Sequence, residues 1–239
     1  PDIVINAAAM TNVDACEVDK EECWKLNVDA VQYLVRACEK HSSHFIHVST
    51  DFIFDGVSGP YSEDAEPNPL SYYGESKLAA EKIVQKASCR WSIARTVLVY
   101  GVVDNMSRSN IVLWAKGALE SGKELTVVDD QYRTPTLAED LAHGCILIAQ
   151  KGAEGIYNIS GEDYMCIIDL VKKVAGYYQL DENLVKAIST SSLNQKATRP
   201  PKTHLLLDKA KRELGYKPSS FEEGLSILDV QIYARQHEE

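Results

Sequence analysis

Short apolar runs alternate with amphipathic helical stretches through the first hundred residues, and this alternation constrains the fold more than any other feature. The stretch Pro1 to Ala9 is a β-branched run that ends in small residues, and His44 to Thr50 is a second such run. Between them, Asn27 to Lys40 places its apolar side chains on one helical stripe. Strands of one sheet that are joined by a crossover helix lie parallel. The pattern therefore predicts an α/β fold with a doubly wound parallel sheet of the Rossmann type.

The alternation continues to about residue 101 and then loosens. A helix is predicted over Ser71 to Lys86 and a strand over Trp91 to Tyr100, after a loop rich in Gly, Pro and Asp. Later segments mix short strands with helices. We expect residues 1–101 and about 129–154 to form a Rossmann-type cofactor domain. We expect about 102–128 and 155–239 to form a smaller, mixed α+β substrate-binding lobe.

Composition excludes several classes of protein. The 239 residues carry a formal net charge of −10 without a basic patch, which argues against nucleic-acid partners. No apolar run approaches the ~20 residues of a membrane span, and no signal peptide is recognisable, so we expect a cytoplasmic protein with no membrane partner. The six cysteines contain no C-x-x-C pair and are expected to be reduced, buried thiols. The histidines show no zinc-ligand spacing, so no metal site is predicted.

The segment Tyr72-Tyr-Gly-Glu-Ser-Lys77 carries the strongest chemical signal. Tyr73 and Lys77 are four residues apart near the start of a predicted helix and therefore project from one face. A tyrosine with an ordinary pKa of about 10 is a poor acid–base catalyst, but a nearby ammonium favours the phenolate. We therefore expect Lys77 to lower the pKa of Tyr73. Tyr73 would then protonate a carbonyl oxygen while hydride reaches the carbon, and Lys77 would also hold the cofactor ribose.

Two strand ends supply further candidate residues. In an open parallel sheet, ligands bind at the carboxyl ends of the strands. Ser49 and Thr50 end the second strand, so Thr50 is placed to bond the same substrate oxygen as Tyr73. The small side chains of Ala7, Ala8 and Ala9 at the end of the first strand would let a cofactor approach closely.

Together these motifs resemble the extended short-chain dehydrogenase/reductases. The resemblance rests on N-A-A-A, V-S-T-D-F-I-F-D-G and Y-Y-G-E-S-K, and among these enzymes the chain is most similar to the dTDP-4-dehydrorhamnose reductases. The stretches from Arg95 to Gly101, Val127 to Thr136 and Arg199 to Leu205 extend the match over nearly the whole chain. The resemblance implies reduction of the 4-keto group of a nucleotide-linked 6-deoxy sugar by NADPH or NADH, a step in rhamnose and polysaccharide precursor synthesis.

The same resemblance assigns roles to individual residues. It implies that Tyr73 is the proton donor, that Lys77 is its partner and clamps the cofactor, and that Thr50 contacts the substrate. Ser49 and the three alanines then line the cofactor, and Asp51 lies beside the sugar. Further candidate substrate residues are Leu98, Asn110 and Arg133. A nucleotide-sugar is the expected ligand, and a homodimer is the candidate assembly.

Three departures from the family pattern stand out. The chain contains no G-x-G-x-x-G motif, so we expect it to be a fragment in which two βα units of roughly 30 residues each would precede Pro1. The determinant of NAD or NADP preference would lie in that segment. Leu98 stands where the rhamnose reductases often carry tryptophan. Arg133 stands where glycine is common, either as a contact to a nucleotide diphosphate or as a solvated surface charge.

Two alternative functions remain open from the sequence. A sugar-nucleotide dehydratase or epimerase would share the fold, but the dehydratases carry Asp-Glu after the threonine, where this chain has Asp51-Phe52. A non-catalytic NADP-binding subunit similar to the β regulatory subunit of methionine adenosyltransferase would keep the fold and the cofactor pocket. Retention of Thr50, Tyr73 and Lys77 is compatible with that subunit but does not favour it.

Overall fold

The computed structural model describes residues 1–102 and 110–236. Within these ranges the strands are β1 (Ile3–Asn6), β2 (His44–Thr50), β3 (Trp91–Thr96), β4 (Val99–Tyr100), β5 (Leu125–Val128), β6 (Tyr132–Arg133), β7 (Thr136–Leu137), β8 (Gly155–Asn158), β9 (Met165–Cys166) and β10 (Val185–Ile188). The α-helices are α1 (Val13–Val18), α2 (Lys20–Trp24), α3 (Ala30–His41), α4 (Tyr72–Gln85), α5 (Ile111–Glu120), α6 (Ala138–Lys151), α7 (Ile167–Tyr177) and α8 (Phe221–Gln236). Two π-helical segments occur at Lys25–Asp29 and Ala210–Leu214.

A parallel sheet with the strand order β1-β2-β3-β8 forms the centre of the fold. Its two faces follow from the alternation of side chains along each strand. Phe45 and Ile93 pack against α3 and α4 on one face, whereas Ile46 and Ala94 pack against α6 on the other. Helices therefore cover both faces of the sheet at β2 and β3, and the predicted doubly wound α/β architecture is confirmed.

One predicted boundary differs from the observed pairing. Residues from 155 onward were expected to lie in the substrate-binding lobe, but β8 pairs with β3 in register Ser92↔Gly155 and completes the central sheet. The reason is that β8 is a short strand whose pairing partner lies about sixty residues earlier. A local pattern does not reveal such a distant partner.

A second core lies beyond the carboxyl ends of the central strands. The parallel pair β5 and β10 and the helices α5, α7 and α8 contribute apolar side chains to it. Helix α7 buries Leu170, Val171 and Val174 there, on the stripe that its sequence predicts. This cluster packs against Leu98, Tyr100 and Leu137, so it is continuous with the short β4–β7 pair that follows β3.

Two short helices before α3 were missed by the sequence analysis. Asn12 caps α1 by accepting the N–H of Ala15 at 3.1 Å, and Asp19 caps α2 by accepting the N–H of Glu22 at 3.0 Å. Helices of this length have too few turns for an apolar period to be visible, although both caps were readable. In the described ranges, no helix is both long and apolar enough to cross a membrane.

Candidate active site

The first turn of α4 places Tyr73 at the end of β2. The Ser71 hydroxyl caps the helix by accepting the N–H of Gly74 at 3.2 Å. Gly74 packs directly on the 3₁₀ turn Asp51–Ile53, because a Cβ at this position would lie 2.3 Å from the Phe52 carbonyl oxygen. A side chain at residue 74 would therefore push α4 away from the strand end, and the glycine sets the distance between Tyr73 and β2.

Tyr73 is buried, and the Thr50 hydroxyl is close enough to influence its pKa. Its ring contacts the Phe52 ring edge-on at 5.8 Å and packs with the buried thiols of Cys16 and Cys23. Burial raises the pKa of Tyr73 well above its usual range, and the nearby Thr50 hydroxyl offsets only part of that rise. The expectation of a lowered pKa for Tyr73 is therefore wrong for this structure, because burial dominates. Tyr73 keeps its proton at neutral pH and is in the donor form.

Lys77 is buried one turn after Tyr73 and is held by β2. Its side-chain nitrogen lies 2.8 Å from the Val48 carbonyl oxygen and 3.1 Å from Nε2 of His47. Burial lowers the pKa of Lys77 from 10.5 to about 8, while the carboxylate of Glu81 acts in the opposite direction. Lys77 thus shares the buried helix face with Tyr73, as the spacing predicts, but the side chain that it contacts on β2 is His47, which the sequence analysis did not assign.

The end of β2 brings Ser49, Thr50 and Asp51 together. The Thr50 hydroxyl donates to Asp51 Oδ1 at 3.2 Å and accepts the N–H of Phe52 at 3.2 Å. Asp51 is buried, and its carboxylate also accepts a hydrogen bond from Thr203. Burial raises the pKa of Asp51, whereas the charge of Arg133 lowers it. Thr50 is therefore oriented by the turn that follows it.

Arg133 is buried rather than solvated, so its interpretation as a surface charge is wrong. Its guanidinium Nε lies 3.7 Å from Asp51 Oδ2, and Nη2 donates to the Pro200 carbonyl at 2.7 Å. Nη1 donates to the carbonyls of Tyr132 and Pro201 at 2.7 and 3.3 Å. These bonds tie the 200–201 segment to the active-site turn. A contact from Arg133 to a nucleotide diphosphate stays a prediction.

The remaining candidate substrate residues lie farther along the chain. Leu98 has a φ of 39°, a region that L side chains rarely adopt, and packs between the second core and the cluster around Ile53. Asn110 caps α5 by accepting the N–H groups of Val112 and Leu113 at 3.1 Å, and its amide donates to the Gly101 carbonyl at 2.6 Å. Their contact with a sugar stays a prediction.

The residues predicted to line a nicotinamide cofactor fit such a group. Ala7 and Ala8 are exposed after β1, where no side chain larger than a methyl projects. Ser49 Oγ is buried without a hydrogen-bond partner among the described residues, and it belongs to the same strand face as His47. The nearby amino group of Lys77 is a donor suited to ribose hydroxyls.

Asn27 is a second functional candidate that the sequence analysis missed. It lies in the π-helical segment Lys25–Asp29, and its amide oxygen accepts the N–H of Met10 at 2.8 Å. Its amide nitrogen donates to the Met10 carbonyl at 3.1 Å and to the Ser76 hydroxyl at 3.0 Å. The Ser76 hydroxyl in turn donates to the Tyr73 carbonyl at 2.7 Å. Asn27 thereby joins the chain after Ala9 to the helix that carries Tyr73. A buried asparagine in an otherwise apolar helical stripe was the available signal.

Comparison with known proteins agrees with this arrangement. The family model described as the RmlD substrate binding domain matches residues 1–231. The chain belongs to this family. It is 35% identical over 246 residues to a dTDP-4-dehydrorhamnose reductase of Aggregatibacter actinomycetemcomitans, covering 98% of this chain and 82% of that protein.

Solved structures of the family place the fold in the same class. A dTDP-4-dehydrorhamnose reductase from Bacillus anthracis, solved in complex with NADP, superposes with a TM-score of 0.89 at 27% identity. The match covers 97% of this chain and 81% of that one.

The β subunit of methionine adenosyltransferase 2 from Xenopus tropicalis is 30% identical over 194 residues, covering 79% of this chain and 58% of that subunit. The resemblance to the extended short-chain dehydrogenase/reductases is thereby confirmed.

Proposed function

We propose that this chain carries out the NAD(P)H-dependent reduction of the 4-keto group of a nucleotide-linked 6-deoxy sugar, with dTDP-4-dehydrorhamnose as the substrate. The observation that carries the proposal is the buried group of Thr50 at the end of β2 and Tyr73 and Lys77 on one face of α4. The family membership and the similarity to reductases of this substrate support it.

The side chains divide the reaction between them. The cofactor, when bound, supplies hydride to the carbonyl carbon. Tyr73, which is protonated at neutral pH, donates its proton to the carbonyl oxygen. Thr50 orients that oxygen, and its own orientation is set by Asp51. Lys77 holds the cofactor ribose and, as an ammonium, stabilises the phenolate that forms on Tyr73.

The organisation of the chain follows from the same proposal. Residues 1–101 and about 129–154, with β8 added, form the cofactor-binding unit. Residues about 102–128 and the remainder after β8 form the lobe that holds the nucleotide-sugar. We place the protein in the cytoplasm, where nucleotide-sugars are made, and a homodimer is the assembly to test.

The test is nicotinamide oxidation by the protein with dTDP-4-dehydrorhamnose and each reduced cofactor. Tyr73→Phe should lower kcat by about 10²-fold or more, because the proton donor is lost, while nucleotide binding by calorimetry is unchanged. Tyr33→Phe is the matched control, since Tyr33 is exposed on α3. Turnover that Tyr73→Phe leaves intact would refute the assignment. Tight nucleotide binding without turnover would favour a regulatory subunit like that of methionine adenosyltransferase.

A further inference from the structure

A buried chain of polar groups connects Lys77 to the end of β1. Nδ1 of His47 lies 3.3 Å from the amide nitrogen of Asn6, and Nε2 of His47 lies 3.1 Å from the amino nitrogen of Lys77. Asn6 and His47 are direct neighbours in the register of β1 and β2. All three side chains are buried, so water does not compete for their donors and acceptors.

The orientation of Asn6 fixes the proton positions in this arrangement. Its amide oxygen accepts the N–H of Ala8 at 3.2 Å, which leaves the amide nitrogen, a donor, facing His47. Nδ1 of His47 must then be the acceptor, and a neutral imidazole carries its one proton on Nε2. The Nε2–H group faces Lys77, so the amino group must offer a lone pair. This orientation therefore corresponds to an uncharged Lys77 that donates to the Val48 carbonyl.

A charged Lys77 requires the opposite set of orientations. An ammonium has three donors and no acceptor, so Nε2 of His47 must present its lone pair and the ring proton must move to Nδ1. The Nδ1–H group then needs the amide oxygen of Asn6, which has to turn over and release the N–H of Ala8. The change conserves the ring proton, and the single proton that Lys77 loses or gains is exchanged with solvent.

We propose that His47 is a positioning residue that couples the protonation of Lys77 to the amide orientation of Asn6, and hence to the backbone at Ala8. The consequence for catalysis rests on the proposed reduction, in which Ala8 lines the cofactor and Lys77 holds its ribose. A ligand that bonds the N–H of Ala8 would free the Asn6 oxygen to accept from His47. Cofactor binding would thereby favour the charged form of Lys77, which is the form that assists Tyr73.

The other ionisable groups around Lys77 are consistent with a change in the protonation of Lys77 near pH 8. On its own helix, Glu81 raises the pKa of Lys77, but Glu81 is shared with Arg95 on β3 through bonds of 2.8 and 3.1 Å. From α2, the Cys23 thiol faces the same site, and Tyr73 lies one turn earlier in α4. Burial dominates and lowers the pKa of Lys77 to about 8. The pKa of His47 is held well below 6.5, so His47 stays neutral through the transition.

The test is the tautomer of His47, followed by ¹⁵N NMR of histidine-labelled protein from about pH 6.5 to about pH 10. The His47 signals are identified by their loss in His47→Gln. The proposal predicts that the ring proton lies on Nδ1 at low pH and moves to Nε2 with a midpoint near pH 8, the pKa of Lys77. Lys77→Met should abolish the transition. A single His47 tautomer over the whole range would overturn the proposal.

His44 is an internal control in the same spectra. It lies on β2 and is buried, and its Nε2 is 2.7 Å from a Ser92 hydroxyl that donates to the Ala153 carbonyl. Ser92 therefore accepts from His44, which has the Nε2–H form, and the charges that act on His44 are those of Arg90 and Glu154. Its tautomer should not change over this range. A His44 signal that moves together with His47 would indicate a general effect of pH and would overturn the coupling.

Asn6→Asp separates coupling from simple packing. A carboxylate only accepts, so it should hold the proton of His47 on Nδ1 throughout the titration and keep Lys77 charged to higher pH. In the reductase assay, the apparent pKa in the pH–rate profile that reports ionisation of Lys77 should then rise above about 8. An Nε2–H tautomer in Asn6→Asp at high pH would contradict the proposal. Absence of turnover would count against the proposed function alone, because the tautomer measurement needs no substrate.

Discussion

The contact between Gly74 and the Phe52 carbonyl gives a quantitative test of how α4 positions Tyr73. In Gly74→Ala the new methyl carbon would lie 2.3 Å from that oxygen and 3.0 Å from the Pro69 side chain. Because an ordinary contact begins near 3.4 Å, the helix must move by about 1 Å. Overpacking of this kind costs about 1–3 kcal/mol. Alanine recovers about 0.5–1 kcal/mol of helix propensity, so the net loss of stability is about 1–2 kcal/mol.

Two assays measure this effect. Thermal unfolding should show a Tm lower by about 2–8 °C, given about 2–4 °C per kcal/mol for a domain of this size. Turnover should fall by about 10²-fold, because displacing a catalytic group by about 1 Å has that consequence. Gly117→Ala in α5 is the control, since its new methyl group would meet no atom of the described residues within 4 Å and should stabilise by up to about 1 kcal/mol. A Gly74→Ala protein as stable and active as wild type would refute the close-contact argument.

Two further predictions concern buried charge. Glu81→Gln should destabilise the protein by about 3–5 kcal/mol in denaturant unfolding, because it leaves Arg95 charged and uncompensated, whereas Glu120→Gln in an exposed pair should cost less than about 1 kcal/mol. An equal loss in both variants would contradict the burial argument. Burial lowers the pKa of Lys77 from 10.5 to about 8, so the unfolded chain binds the extra proton between these values. Stability relative to Lys77→Met should therefore rise as pH increases from about 8 to about 10.5 and stay level below 8; a fall over that range would contradict the lowered pKa.

The sequence was sufficient for the first three strands of the central sheet and for the face that carries the chemistry, but not for β8. The strand ending at Thr50 and the four-residue spacing of Tyr73 and Lys77 are local patterns. In each pattern, backbone geometry determines the direction in which the side chains project. The structure keeps both, with Thr50 buried at the end of β2 and Tyr73 and Lys77 buried on the same face of α4. Local periodicity is therefore enough to predict that Thr50, Tyr73 and Lys77 belong to one site, without knowledge of tertiary contacts.

The electrostatics of the site could not be predicted in the same way. The pKa of Tyr73 depends on how completely the surrounding residues exclude water, and burial reverses the direction expected from the nearby lysine. The Lys77 nitrogen contacts His47 and the Val48 carbonyl because β2 lies beside α4. The spacing of residues in the sequence does not reveal that packing. Arg133 is buried because its partners, Asp51 and the Pro200 carbonyl, come from distant parts of the chain.

The central claim is that hydride reaches the 4-keto carbon while Tyr73 protonates the oxygen. Reduction of dTDP-4-dehydrorhamnose with NADPH deuterated at the transferable position, followed by mass spectrometry and NMR of the sugar, tests this most directly. The account predicts one deuterium at C4 of the product and loss of that product in Tyr73→Phe. NADPH consumed without deuterium at C4, or a labelled product formed equally well by Tyr73→Phe, would contradict it.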